Sequence, residues 1–138
     1  MPNTSLTLIP YVHFNGNCEE ALNTYKKVFN GSYEAQRYGD APMQVPDSHK
    51  QKILHARFQF GNNTIMTSDV FPGQQVSDSE RVMLSVGLTD EAEARRIFEQ
   101  LSEGGQVTMP LEKQFWGALF GQLTDRFGIR WMINCENK

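Results

Sequence analysis

Apolar and polar residues alternate along several short stretches of the chain, a pattern typical of strands with one buried face. The clearest stretch is residues 52–60, KILHARFQF, in which the alternation assigns Leu54, Ala56, Phe58 and Phe60 to the core and His55 to the opposite face. We predict strands over residues 6–14, 32–37, 52–60, 64–68, 82–88, 106–109, 118–123 and 129–133. The last two are expected to form a β-hairpin, because a polar turn that contains glycine separates them.

Two further segments carry apolar residues at the spacing of one helix face. The first follows Asn17, with Glu20 three residues later, as in a capping box. The second follows Asp90, with Glu93 in the same relative position. Asn30-Gly31 marks the end of the first helix, and Gly104-Gly105 marks the end of the second.

The order of these elements occurs twice: one strand, one capped helix, then three strands. Such an internal repeat predicts two βαβββ modules, an α+β fold. We place the first module at about residues 5–70, a linker at about 71–80 and the second module at about 81–136. At 138 residues, the two modules are expected to form one domain over residues 1–138.

Composition excludes several classes of function. A net charge of −3 does not suit a general nucleic-acid binder, which needs clustered Lys and Arg. No apolar run is long enough to span a bilayer, and the N-terminus has no signal-peptide pattern, so we expect a cytoplasmic protein with no membrane partner. Cys18 and Cys135 are too few for a disulfide framework and are expected to be reduced thiols.

Several motifs spread over nearly the whole chain resemble those of the vicinal oxygen chelate superfamily, which includes glyoxalase I, extradiol dioxygenases and bleomycin-resistance proteins. Within it the chain resembles the PhnB-like branch. The motifs are PYVHFNGNCEEA at residues 10–21, ILHA at 53–56, MTSD at 66–69, FWG at 115–117 and TDRFG at 124–128. This resemblance implies a curled eight-stranded mixed sheet around a cleft, with helices on the convex face, and a homodimer. It does not imply one activity.

In metal-using members of the superfamily, His or Glu ligands lie on the first and third strands of each module. The corresponding positions here are about Ile9, His55, Arg81 and Met132. Of these only His55 is a plausible ligand, so we do not favour a divalent metal cofactor. The weak alternative is a rearranged site at His13 and His55, completed by Asp69 or Glu112.

Strand alternation directs one set of residues to the concave side of the sheet. From this set we predict as ligand-binding residues Tyr11, His13, His55, Arg57, Arg130 and Met132, and we add Trp116, which lies at the mouth of the last hairpin. Arginine and histidine in one cleft of an acidic protein favour a small anion as ligand. His49 is expected to be solvated, and Cys18 to lie in the first helical turn, where the helix dipole lowers a thiol pKa.

These observations leave competing functions. The first is a binding protein for a small, anionic molecule, with no catalytic metal. The second is a metal-dependent lyase, isomerase or dioxygenase that uses the rearranged His13/His55 site. The third is a dimeric interaction protein with a vestigial cleft. A methyltransferase is not expected, because no glycine-rich loop follows a predicted strand.

Overall fold

The computed structural model describes residues 6–78 and 80–136, so residue 5, where the first predicted module begins, lies outside the described part. The chain divides into two compact units, Met1–Val76 and Ser77–Lys138. The division falls within the stretch 71–80 that the sequence assigns to a linker. Each unit has its own helix and its own four-stranded sheet.

The first unit has a mixed sheet in the order β1-β4-β3-β2, in which β1 and β4 are parallel and the other pairs antiparallel. Its elements are β1 (Tyr11–Phe14), α1 (Cys18–Phe29), β2 (Ser32–Arg37), β3 (Ile53–Phe60) and β4 (Asn63–Asp69), with short 3-10 turns at Tyr38–Asp40 and Asp47–His49.

The second unit repeats this topology, with the order β5-β8-β7-β6 and a parallel β5–β8 pair. Its elements are β5 (Leu84–Leu88), α2 (Glu91–Ser102), β6 (Gln106–Lys113), β7 (Leu119–Thr124) and β8 (Arg130–Cys135). The predicted pair of βαβββ modules and the α+β class are confirmed. The eight strands form two four-stranded sheets.

Each helix buries one apolar stripe against the sheet of its own unit, as its spacing predicts. The buried residues are Ala21, Leu22, Tyr25 and Val28 on α1, and Ala94, Ile97, Phe98 and Leu101 on α2. Phe58 of β3 and Trp131 of β8 are among the largest side chains beneath them, each at most 1% exposed. Neither helix is long and apolar enough to cross a membrane.

Two strand boundaries differ from the prediction by more than about three residues, and proline is involved in both. β1 begins only after Pro10, so Ile9 precedes the strand; the carbonyl of Pro10 still accepts a hydrogen bond from Met66 N at 3.0 Å. β6 does not end at Met109 but continues through Pro110. Pro110 is tolerated there because β6 is an edge strand, where one missing N–H breaks no essential pairing.

The prediction for the core face of β3 is wrong at its start. Ile53 is buried at 1% exposure, whereas Leu54 is only half-buried. The register with β2 shifts here, since Gln36 pairs with His55 but Arg37 pairs with Ile53. Leu54 is therefore an extra residue in β3, and such a β-bulge reverses the alternation before it.

The two helices are capped in different ways. Asp90 caps α2 as predicted, its side chain accepting a hydrogen bond from Glu93 N at 3.2 Å. Asn17 makes no such bond at the start of α1, so the predicted capping box is wrong. Oδ1 of Asp69, at the end of β4, accepts the hydrogen bond from Cys18 N at 2.9 Å instead.

Candidate ligand-binding cleft

A cleft of about 430 Å³ lies in the first unit, beside β1, β3 and β4 and under the segment that follows β4. The lining residues that can form hydrogen bonds are Tyr11, His13, Tyr38, His55, Ser68, Asp69 and Gln74, and the apolar ones are Leu54, Val70, Phe71 and Val76. The cleft therefore combines a small group of hydrogen-bonding side chains with aliphatic and aromatic walls, as ligand sites commonly do.

The register of β1 on β4 fixes the first histidine. His13 pairs directly with Ser68, so the two side chains project from the same face of the sheet. Nδ1 of His13 lies 2.8 Å from the hydroxyl oxygen of Ser68. The ring of Tyr11, two residues earlier on the same face, stacks on the imidazole with centroids 5.0 Å apart.

The second histidine, His55 on β3, is also oriented by a hydroxyl group. The hydroxyl oxygen of Tyr11 lies 3.1 Å from Nδ1 of His55, and the two rings are 5.8 Å apart at a tilt of 43°. Among the described residues, Nε2 of His13 and Nε2 of His55 have no hydrogen-bond partner. Each imidazole is thus oriented through Nδ1 by a hydroxyl, and its Nε2 is available to a ligand.

Residues 70–76, here called the strap, form one wall of the cleft and are fixed at both ends. At the first end, Nε2 of His49 lies 3.0 Å from the carbonyl oxygen of Val70. At the other end, the Asn15 amide bonds twice to the backbone of Val76: its Oδ1 accepts from Val76 N at 2.8 Å, and its Nδ2 donates to Val76 O at 3.0 Å.

The sequence suggested that His49 is solvated, but the structure shows that it takes part in holding the strap. It is half-buried, and its ring packs edge-on against Tyr38 at 4.6 Å. Tyr38 is 1% exposed and donates its hydroxyl hydrogen to the main-chain oxygen of Asp69 at 2.7 Å. Burial raises the pKa of Tyr38, so the hydroxyl stays a donor.

The carboxylate of Asp69 is occupied by the backbone. Oδ1 accepts from Cys18 N at 2.9 Å and Oδ2 accepts from Ile53 N at 2.8 Å, with Asp69 itself 2% exposed. Glu112, the other proposed completing ligand, lies on β6 of the second unit. In residues 6–78 and 80–136, no three His, Cys, Asp or Glu side chains are grouped so that they could hold a metal ion.

Cys18 is fully buried, and its environment outweighs the helix dipole. Burial raises the pKa of the thiol from 9.0 to about 12, and the negative charge of Asp69 adds to this effect. The sulfur lies 3.2 Å from Thr67 Oγ1, and the Thr67 hydroxyl can donate to the thiolate, which opposes the rise only in part. The expectation of a lowered pKa is wrong, and the residue has the character of a buried structural thiol.

Four of the predicted binding residues do not line this cleft. Arg57 is exposed on β3, two residues beyond His55. Trp116, Arg130 and Met132 belong to the second unit. Trp116 is 50% exposed next to Phe115, and Met132 pairs with Gln122 of β7 and Ser85 of β5.

Arg130 forms a long ion pair with Glu80, at 3.3 Å from Nη2 to Oε1. Its Nε is buried and has no hydrogen-bond partner among the described residues. Arg81, one of the positions compared with metal ligands, precedes β5 and is exposed. For these residues a role in binding stays a prediction.

The motif at residues 124–128 has a structural role that sequence reasoning missed. Asp125 is 5% exposed, and its Oδ1 accepts from Phe127 N and Ile129 N, both at 2.9 Å. Its Oδ2 accepts from Trp131 Nε1 at 2.9 Å. The only local signal was an aspartate at a turn, where Asp commonly bonds to nearby backbone.

The topology of both units identifies the fold. Two βαβββ modules with mixed four-stranded sheets are the fold of the vicinal oxygen chelate superfamily. A glyoxalase-related enzyme from Fulvimarina pelagi has the same fold, with a TM-score of 0.59 and 19% identity over 95% of this chain and 89% of its own. The PhnB protein of Bacillus cereus superposes with a TM-score of 0.81 at 24% identity, covering 94% of this chain and 99% of that one.

The sequence then identifies the family. A family described as 3-demethylubiquinone-9 3-methyltransferase matches residues 6–134, and the chain belongs to it, which confirms the predicted PhnB-like branch. Protein YjdN of Escherichia coli K12 is 30% identical over 141 residues, covering 94% of this chain and 95% of YjdN. The crystal structure of PA1353 from Pseudomonas aeruginosa gives a TM-score of 0.88 at 44% identity, covering 97% of this chain and all of that one (100%).

Proposed function

We propose that this chain is a small-molecule binding protein and that its ligand occupies the cleft of the first unit, with an acidic group at His13 and His55. The observation that carries the proposal is the pair of imidazoles in one cleft. Each has Nδ1 next to a hydroxyl, and each has an Nε2 without a partner among the described residues.

The chemistry of the two pairs favours a hydrogen-bond acceptor as ligand. When the hydroxyl of Ser68 or Tyr11 donates to Nδ1, the neutral imidazole carries its hydrogen on Nε2 and presents an N–H group to the cleft. When the imidazole is protonated, the hydroxyl accepts from Nδ1 and Nε2 still donates. Both states suit a carboxylate or phosphonate oxygen, and the protonated state adds charge assistance.

The metal-dependent alternative has less support. A metal needs the lone pair of Nε2 and, in most sites, at least one further protein ligand. The nearest acidic side chain on β4, Asp69, has both oxygens bonded to buried backbone N–H groups. Recruiting Asp69 would leave Cys18 N and Ile53 N unpaired, at a cost of about 1–3 kcal/mol each.

Calorimetric titration with acetate and methylphosphonate, alongside Zn²⁺ and Ni²⁺, tests the proposal. We expect saturable binding of an acid that is weakened about fivefold or more by His13→Ala or His55→Ala, because each substitution removes one hydrogen bond to a charged group. Arg57→Gln is the matched control, because it removes a full positive charge from the exposed neighbour on β3 and should change affinity less than about twofold.

The opposite result is also well defined. Suppose that neither acid binds, that Zn²⁺ or Ni²⁺ binds with one-to-one stoichiometry, and that His55→Ala abolishes this metal binding. The anion hypothesis is then wrong, and the metalloenzyme alternative replaces it.

We also propose that the protein is a homodimer. Each sheet has two outer strands. These are β1 and β2 in the first sheet, and β5 and β6 in the second. Unpaired edge strands are commonly covered by another chain or by a second copy.

A further inference from the structure

Two aromatic rings of the cleft are unusually accessible. Tyr11 is 46% exposed and Phe71 is 49% exposed, yet both line the same cavity. Among the described residues, the two rings make no contact with each other. The cleft is therefore lined by one aromatic ring on β1 and another on the strap.

Both rings are held in place by other parts of the first unit. Tyr11 is stacked on His13 and is bonded through its hydroxyl to His55. Phe71 packs edge-on against the buried Tyr38, with centroids 5.9 Å apart, and the strap that carries it is fixed at Val70 and Val76. A binding surface of pre-positioned rings loses little conformational entropy when a ligand binds.

We infer that the cleft selects a ligand with a planar aromatic ring next to its acidic group, such as an aryl carboxylate or aryl phosphonate. The ring would lie against Tyr11 and Phe71, and the acid oxygens would meet Nε2 of His13 and His55. Aromatic pairs gain attraction beyond the burial of apolar area when they pack offset or edge to face. A saturated ring of the same size buries a similar apolar area but lacks this attraction between aromatic rings. The inference rests on the proposed function for the position of the ligand.

Matched ligand pairs test the inference. Benzoate and cyclohexanecarboxylate carry the same charge and similar volume, and so do the neutral benzamide and cyclohexanecarboxamide. We expect the wild-type protein to bind the aromatic member of each pair roughly two- to tenfold more tightly, measured by NMR chemical-shift titration.

Phe71→Leu should remove most of the aromatic preference, because Leu keeps apolar area without a ring. The control variant is Phe115→Leu, which replaces a phenylalanine that is 97% exposed in the second unit and should leave every affinity unchanged. Tyr11→Leu is a less selective variant, since it also removes the hydroxyl next to His55.

The outcomes separate this inference from the proposed function. If acids bind and depend on the histidines, but both ligand pairs show equal affinities, the preference for aromatic ligands is overturned and the acid site stands. If benzamide is preferred in a Phe71-dependent manner while no acid binds, the ring site stands and the acid site is overturned. An aromatic preference that survives Phe71→Leu contradicts the inference.

Discussion

Asp69 and Asp125 are the acidic residues that the structure buries, and both serve the backbone. Asp69 accepts from two main-chain N–H groups that begin α1 and β3. Asp125 accepts from two N–H groups of the β7–β8 turn and from the indole of Trp131. A buried carboxylate is tolerated only when its oxygens are bonded in this way.

Removing the Asp69 carboxylate should therefore be costly. We expect Asp69→Ala to lower the free energy of unfolding by roughly 3 kcal/mol, because two charge-assisted hydrogen bonds are lost and two N–H groups lose their partner. Urea unfolding measures the change. Asp47→Ala is the control, since that carboxylate forms only an exposed ion pair with Lys50. Equal stability of the two variants would show that Asp69 does not hold α1 to β3.

The buried thiol predicts a dependence of stability on alkaline pH. The pKa of Cys18 is raised from 9.0 to about 12 in the folded protein, so the unfolded chain loses this proton first. The protonated thiol contributes its full stability below the pKa of Cys18 in the unfolded chain. This contribution is lost as the pH rises towards the pKa of Cys18 in the folded protein, by up to about 1.4 kcal/mol per pH unit.

The comparison with Cys18→Ala isolates this contribution, since the other groups that titrate are common to both proteins. Between about pH 9.5 and pH 11, the free energy of unfolding of wild type should fall more steeply than that of Cys18→Ala. Parallel curves would contradict the raised pKa.

Residue-scale roles were predictable only where the partners are close in sequence. The cap of α2 was predicted because Asp90 and Glu93 are three residues apart. The cap of α1 was not, because Asp69 lies 51 residues from Cys18 and reaches it only when β4 has paired with its neighbours. In the same way, no local pattern relates His13 to Ser68, 55 residues away.

At the scale of elements, alternation, helical spacing and the turn residues between segments together predicted the type of every strand and helix. They failed where one extra residue reverses the alternation, as at the bulge that turns Leu54 out of the core. This bulge also matters for the site, since Leu54 and His55 both line the cleft. The strap was read from the sequence as a linker, because its anchors, Asn15 and His49, are remote.

The Asn15 anchor can be tested without a ligand. Asn15→Ala removes both bonds to the Val76 backbone, so hydrogen exchange at the Val76 amide should become several-fold faster. Protease cleavage within residues 71–75 should rise as well. Asn63→Ala is the control, because the Asn63 side chain, at the start of β4, bonds to the nearby Phe60 O and not to the strap. Unchanged exchange at Val76 would show that Asn15 does not fix the strap.

At the scale of the whole molecule, the repeat of element order was the informative feature, and it leads to the same four-strand order in both units. The repeat does not extend to the chemistry. The cleft with two histidines is in the first unit. In the second unit, Met132 of β8 pairs with Ser85 of β5 and with Gln122 of β7.

The proposed homodimer has a direct test at this scale. We expect sedimentation equilibrium at micromolar concentration to give twice the chain mass of 15.7 kDa. The reason is that each sheet ends in outer strands with unpaired backbone groups. A mass near that of one chain would show that the edges are covered in another way.

The most direct test of the central claim observes the histidine nitrogens themselves. The chain has three histidines, and ¹⁵N labelling resolves Nδ1 and Nε2 of each. On titration with benzoate, Nε2 of His13 and of His55 should shift together and reach saturation at one affinity. His49 provides the internal reference: its Nε2 donates to the carbonyl of Val70 and should remain unchanged. If benzoate leaves His13 and His55 unchanged, while Zn²⁺ shifts their Nε2 resonances at one-to-one stoichiometry, the two histidines form a metal site and the account given for the cleft is wrong.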